Sequence, residues 1–299
     1  MQHTHPSVRA LLDVEGCEDP VAAIRRRARA LVAEALEIGW EGPPFDMGEL
    51  ASLRGLKIAP SRHLRADQDA CVTPGHILLN AAKPPVRQRY SAAHEIGHTL
   101  FPDYEATVRT AGRLWRRHGD DSEFERLCQV AGSELLLPLD AFQAAVAARG
   151  PGLLGVLDVA DAFGASAEAT ARRRVETASE PMAVVFLRPR DPDTGAWIEP
   201  HPSDGHAPLT PLGVTLVCAH AACGAGALPR ACCPPKGSAA DRAWKRVGLV
   251  RGRVVVEQTY GECWAHAGVV GRWDGEALTL PQRSRTPREV LCLLRPASA

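Results

Sequence analysis

His94-Glu95-Ile96-Gly97-His98 sets two imidazoles four residues apart with a carboxylate between them. On a helix, at about 100° per residue, positions i and i+4 lie roughly 40° apart and about 6 Å along the axis, so both rings can reach one metal ion. Glu95 then points beside that ion and not at it. The pattern suits a carboxylate that takes a proton from an attacking water without entering the coordination sphere. The chemistry it predicts is metal-assisted hydrolysis of a peptide bond, with His94 and His98 as ligands and Glu95 as the catalytic base.

Such an ion needs a third protein ligand, and the next helical stretch offers Glu123, Glu125 and Glu134. Residues 124, 127, 128, 131 and 135 form its apolar stripe. Glu125 flanks the edge of that stripe that also carries Cys128 and Gly132, small residues that let the histidine helix approach. Glu123 and Glu134 flank the other edge, so Glu125 is the expected ligand. Two neutral imidazoles and one carboxylate suit a single zinc ion, with manganese the alternative, and leave it a net positive charge and an open position. Water at that position is acidified to a pKa of about 7.

The histidine helix is expected to start at Ser91 as its cap and to stop at Pro102 after Phe101. Ala93, Ile96 and Leu100 share its opposite face, which predicts burial of that face in a core. Asp103, Asp120 and Asp121 are candidates to orient the two rings through their second nitrogens. Tyr90 and Tyr104 are candidate donors to the oxyanion of the tetrahedral intermediate. Arg87 and Arg89 could hold a substrate carboxylate or carbonyl.

Three stretches carry a resemblance to the ImmA/IrrE-type metallopeptidases of bacteria and phages. They are Gln88 through His98, Glu125-Arg126-Leu127-Cys128-Gln129 running on to Leu135-Leu136-Leu137-Pro138, and Gly42-Pro43-Pro44-Phe45-Asp46. The family usually has Phe-Thr where this chain has Tyr90-Ser91, and Glu- or Gln-Ala-Asn where it has Leu127-Cys128-Gln129; neither change touches a ligand. The resemblance implies a zincin-like endopeptidase that cleaves or otherwise inactivates a helix-turn-helix repressor, switching on stress-response or mobile-element genes. Some radiation-response members carry a GAF-like sensor domain at the C-terminal end.

The rest of the chain must position this centre, and its 299 residues predict two or three modules in an α+β protein. We expect a mainly helical zincin-like domain with a small sheet over 18–139, a helix-turn-helix-like extension over 140–178, and a mixed or mainly β regulatory domain over 179–299. Helical patterns cover 20–39 and 46–54. His76 to Asn80 reads as a strand that could offer an open edge to an extended substrate. Three helices fill 140–178, with a tight Phe163-Gly164-Ala165-Ser166 turn, and Arg172, Arg173 and Arg174 would be the DNA-facing residues if the module bound DNA. From 181 on, short β-rich runs appear at 183–187, 214–217, 254–257 and 290–293.

Thirty-five Lys and Arg balance thirty-five Asp and Glu, so total charge gives no argument for nucleic acid or an acidic membrane surface. The start lacks the apolar run of a signal peptide, and no later run approaches the roughly 18 residues that span a bilayer, which predicts a cytoplasmic protein with no membrane partner. Nine cysteines, irregularly spaced, fit reduced thiols or a metal site. Cys218, Cys223, Cys232 and Cys233, with His220 nearby and Cys263 further on, could close a second, structural zinc site, act as a redox group, or simply be small buried residues. Two other classes stay open on sequence alone. One is a regulator that binds a repressor without cleaving it; the other is a DNA-binding transcription factor, which leaves the HExxH motif unexplained.

Overall fold

The computed structural model describes residues 5–105, 122–191, 193–197, 212–220, 223, 228–246, 256–264, 271–280 and 289–297. Helices and two separate sheets make it an α+β chain, divided into two compact units. The first unit takes 1–145 and 159–170, the second 146–158 and 171–299.

In the first unit, proline and short polar side chains set the helix starts. Helix α1 (Pro6–Glu15) is capped by His5, whose ring accepts from Ser7 N, and ends at Gly16 in the left-handed region. Helix α2 (Pro20–Glu37) is capped by Asp19, which accepts from the amides of Val21 and Ala22. Helix α3 (Met47–Leu53) follows Asp46 in the same way. A three-stranded sheet comes next, built from β1 (Lys57–Ser61), β2 (Ala70–Thr73) and β3 (His76–Asn80) in the order β1-β3-β2. Strand β3 pairs parallel with β1 and antiparallel with β2, so the strand expected to offer an open edge is the central one. Among the described residues, the unpaired edge nearer the histidine helix belongs to β2.

The histidine helix, α4, runs from Pro85 to His98 and begins six residues before the expected Ser91 cap. Pro85 supplies a helical φ at the first position, where no amide is needed, and Ser91 lies buried within the helix. Ala93 and Ile96 are fully buried and Leu100 nearly so, as their shared face predicts. Helix α5 (Ser122–Leu136) packs along α4, with Leu127 and Leu135 fully buried. Each such leucine or isoleucine contributes roughly 1.5–3 kcal/mol by burial, which fixes the two helices against each other.

Three helices follow, α6 (Leu139–Arg149), α7 (Leu153–Phe163) and α8 (Ala167–Glu176), matching the helix-turn-helix-like pattern. The turn between α7 and α8 needs Gly164 at φ 58°. The arginine triplet is not an exposed basic face: Arg173 is 1% exposed and pairs with Glu176, and Arg174 is half-buried. Consecutive residues on a helix point about 100° apart, so three arginines in a row span about 200° and cannot share one face. Arg172 alone of the three is exposed.

The second unit is built on a five-stranded antiparallel sheet of β4 (Ala183–Pro189), β5 (Leu212–Ala219), β6 (Val256–Glu262), β7 (Trp273–Thr279) and β8 (Val290–Pro296), in the order β5-β4-β8-β7-β6. One face carries Val185, Leu187, Cys292 and Leu294 against Ala240, Ala243 and Trp244 of helix α9 (Ala239–Arg246). The other carries Val184, Phe186, Leu291 and Leu293 against Leu153, Val156, Ala171 and Val175. The mainly β domain is thus a sheet covered by helix on both faces. Strand β7 escaped the sequence pattern because Trp-Asp-Gly-Glu-Ala-Leu-Thr has little β propensity. It forms because strands pair on both of its sides, and a Cβ at Gly275 would displace the Glu262 carboxylate. Among the described residues no single helix is long and apolar enough to cross a membrane.

Candidate metal centre

Helices α4 and α5 cross where each has a glycine. A Cβ on Gly132 would lie 3.1 Å from His94 N and 3.2 Å from His94 Cα, and one on Gly97 would lie 3.0 Å from Cys128 O. The close approach these glycines permit brings Glu125 Oε2 to 3.1 Å from His94 Nε2, and His94 Nε2 to 3.2 Å from His98 Nε2. One nitrogen with at most one proton thus faces two acceptor-bearing atoms. Hydrogen bonding alone accounts poorly for that convergence. A tetrahedral ion with bonds of 2.0–2.1 Å holds its ligand atoms roughly 3.3 Å apart, so His94, His98 and Glu125 fit a divalent cation. Among the described residues this is the one cluster of three or more His, Cys, Asp or Glu able to hold an ion.

Glu95 is 8% exposed, on the same helix as both histidines. Burial pushes its carboxyl up to about 7; the nearby His94 pulls it down, the charge of Glu125 raises it, and the backbone N–H of Val72 on β2 lowers it by hydrogen bonding. A carboxylate poised near neutrality is matched to proton transfer at working pH. Tyr104 lies close enough to feel the charge of Glu95, which together with burial as the larger cause pushes its phenol up to about 12. The Tyr90 ring stacks at 6.5 Å from the His94 ring, with the Arg87 guanidinium 5.7 Å over its face.

The other two glutamates lie elsewhere. Glu134 is 1% exposed and receives two hydrogen bonds from Arg29 of α2, with Arg25 at 3.4 Å, so it ties α2 to α5. Glu123, half-buried near the helix start, is outside the cluster. Glu134→Ala is therefore expected to cost on the order of 2 kcal/mol in a denaturant titration, discounted because both arginines are partly solvated, with zinc content unchanged. Loss of bound metal in a folded Glu134→Ala would make Glu134 a ligand candidate beside Glu125.

Comparison with known proteins bears on the same helices. Residues 52–174 match the model of the IrrE N-terminal-like domain of M78 peptidases. The radiation response metalloprotease IrrE of Deinococcus radiodurans is 26% identical over 193 residues, 63% of this chain and 57% of that protein. Over these residues the chain is similar to the ImmA/IrrE-type peptidases, and it spans a little over half the length of the Deinococcus relative. A Mycobacterium tuberculosis transcriptional regulator has the same fold, with a TM-score of 0.58 over 97% of this chain and 79% of that one at 12% identity.

Several candidates that sequence offered to this centre are committed elsewhere. Arg89 donates to the carbonyls of Phe45 and Phe163, and Arg87 pairs with Asp69 in a short contact, so both arginines are spent within the fold. Asp103 accepts from Ser7 Oγ at 2.7 Å, which ties α1 to the end of the histidine helix; Asp120 and Asp121 lie outside the described residues. Cys128 Sγ stands 3.3 Å from His98 Nδ1. Sequence reasoning used Cys128 only as a small residue. The available signal was its departure from the family's usual alanine, three residues beyond Glu125.

Among the described residues the C-terminal cysteines form no group of three or more ligand atoms close enough to hold an ion. Cys223 is buried on the α9 face of the sheet with Cys232 packed against it, whereas Cys218 packs on the opposite face, because neighbouring residues of a strand point to opposite sides. Cys233 and Cys263 are exposed. Burial, with Cys233 as the lesser cause, pushes the Cys232 thiol up to about 11, which is the wrong direction for a reactive redox thiol.

Proposed function

We propose that this protein is a zinc-dependent endopeptidase that hydrolyses a peptide bond in a helix-turn-helix repressor, derepressing stress-response or mobile-element genes. The carrying observation is the convergence of His94, His98 and Glu125 within 4.8 Å of one another, with the buried Glu95 carboxylate beside them. In this reading the two imidazoles and Glu125 hold the ion. Zinc supplies Lewis acidity to the scissile carbonyl and to the attacking water. Glu95 takes the proton of that water and returns it to the departing amine, a round trip that suits a carboxyl near neutrality. Tyr104 and Tyr90 are the oxyanion donors in this scheme. Tyr104 lies near enough to feel the Glu95 charge, and Tyr90 stacks beside His94.

The extended substrate would add to the open edge of β2, the strand whose Val72 amide reaches Glu95. The catalytic domain would span 18–139, the helical extension 140–178, and the 179–299 sheet domain would regulate it in the cytoplasm. The name of the Deinococcus relative supports both the metalloprotease and the stress-response parts of this reading. Direct DNA contact by 140–178 loses its basis with the burial of Arg173.

The test is zinc content per chain under reducing conditions, wild type beside Glu125→Ala. One equivalent in the wild type and none in the variant supports the reading. Equal content in both moves the third ligand to another residue, and no uptake by the wild type of either zinc or manganese overturns the hydrolase in favour of a protein that binds the repressor without cutting it.

A further inference from the structure

We infer that Cys128 is a positioning residue that fixes the tautomer and orientation of His98, a role that rests on the proposed ligand assignment above. The His98 ring has one nitrogen on each side of the question. Its Nε2 lies 3.2 Å from His94 Nε2, toward Glu125, and its Nδ1 lies 3.3 Å from Cys128 Sγ. A neutral imidazole carries one proton, and a ring that offers its Nε2 lone pair to an ion must carry that proton on Nδ1. Sulfur is a weak acceptor, but at this distance it lies within reach of an N–H donor. Cys128 and His98 are 0% and 4% exposed, so water does not compete for that proton.

Position is also imposed from behind. Cys128 O stands where a Cβ on Gly97 would come within 3.0 Å, so the backbone bearing the thiol is pressed against the turn of α4 that bears His98. The Phe124 ring, 5.3 Å from that of His98, closes another side. Thiol, backbone contact and ring together leave the imidazole one orientation, with Nε2 toward the other ligands. Such partners are most often carboxylates or carbonyls, which raise the basicity of the ligating ring. A thiol orients the ring while adding no charge beside Glu95 and Glu125.

The experiment compares wild type, Cys128→Ala and Cys128→Ser by two readouts. The first is the ring ¹⁵N spectrum of histidines in chelator-treated protein, with the His98 signals identified by their loss in His98→Gln. The second is zinc affinity by competition with a chromogenic chelator. Expected are an Nδ1–H tautomer for His98 in the wild type, a mixed tautomer in Cys128→Ala with zinc binding weakened roughly 10- to 100-fold, and recovery of both in Cys128→Ser, whose hydroxyl also accepts. An unchanged tautomer and affinity in Cys128→Ala overturns the inference, as does a serine variant that behaves like alanine. If Cys128→Ala does not fold, the serine variant and the wild-type tautomer decide. A wild type that takes no zinc overturns the ligand assignment instead, and the tautomer readout still decides the role of Cys128.

Discussion

Glu95→Gln is expected to lower peptide hydrolysis by about 10²- to 10⁴-fold, the usual contribution of a positioned general base, while the zinc content stays at the wild-type value. Gln is nearly isosteric with Glu, so the three ligands keep their places and only the proton acceptor is lost. A variant that still turned over substrate at the wild-type rate would remove Glu95 from the mechanism. The same substitution has a signature in stability. In chelator-treated wild type burial pushes the Glu95 carboxyl from the ordinary 4.5 up to about 7, so the folded state holds a proton that the unfolded chain releases. The contribution is fully present below pH 4.5 and is lost as pH rises through 7, a change of about 3 kcal/mol. Glutamine cannot titrate. Denaturant midpoints of the variant should therefore lack this part of the decline between pH 4.5 and 7, leaving it the more stable protein at the alkaline end; parallel curves would show that Glu95 titrates normally.

Gly132→Val is expected to be the most damaging substitution outside the polar residues of the centre. Even a Cβ at this position meets backbone atoms of His94 at 3.1–3.2 Å, and backbone cannot swing aside as a side chain can. The two helices must part, at a cost of about 1–3 kcal/mol. Glu125 then moves away from His94. Zinc affinity should fall by roughly 10- to 100-fold, as when groups that support ligands are disturbed. A chelator competition measured beside a thermal melt separates this from Glu134→Ala, which is expected to lose stability with its zinc intact. Wild-type affinity in Gly132→Val would mean that the crossing is looser than its contacts imply.

Much of the centre was legible because it is local. His94, Glu95 and His98 lie within one helical turn or so, and the apolar stripe of 122–136 placed Glu125 on the edge where the structure has it, beside His94. What failed was long-range. The place of His76 to Asn80 in the sheet depends on a parallel partner at 57–61, and nothing within five residues tells a central strand from an edge. The fates of Arg87, Arg89 and Arg173 depend on which carbonyls and carboxylates the fold brings near. Strand period alone separates Cys218 from its neighbour residues, yet only the pairing of β4 with β5 shows that Cys223 lies behind the other face. The Cys128 contact is legible only after the helix crossing is known.

That crossing has a further consequence, for the traffic of the ion. In many small zinc domains the metal supplies the folding free energy, so losing it means unfolding. Here the three ligand groups are gathered by leucine and isoleucine packing, two facing glycines and the Glu134 pairs with α2. None of these needs an ion. The chain should hold its shape while zinc comes and goes, and the fraction of molecules able to act would then follow the supply of free metal, reversibly and without new synthesis.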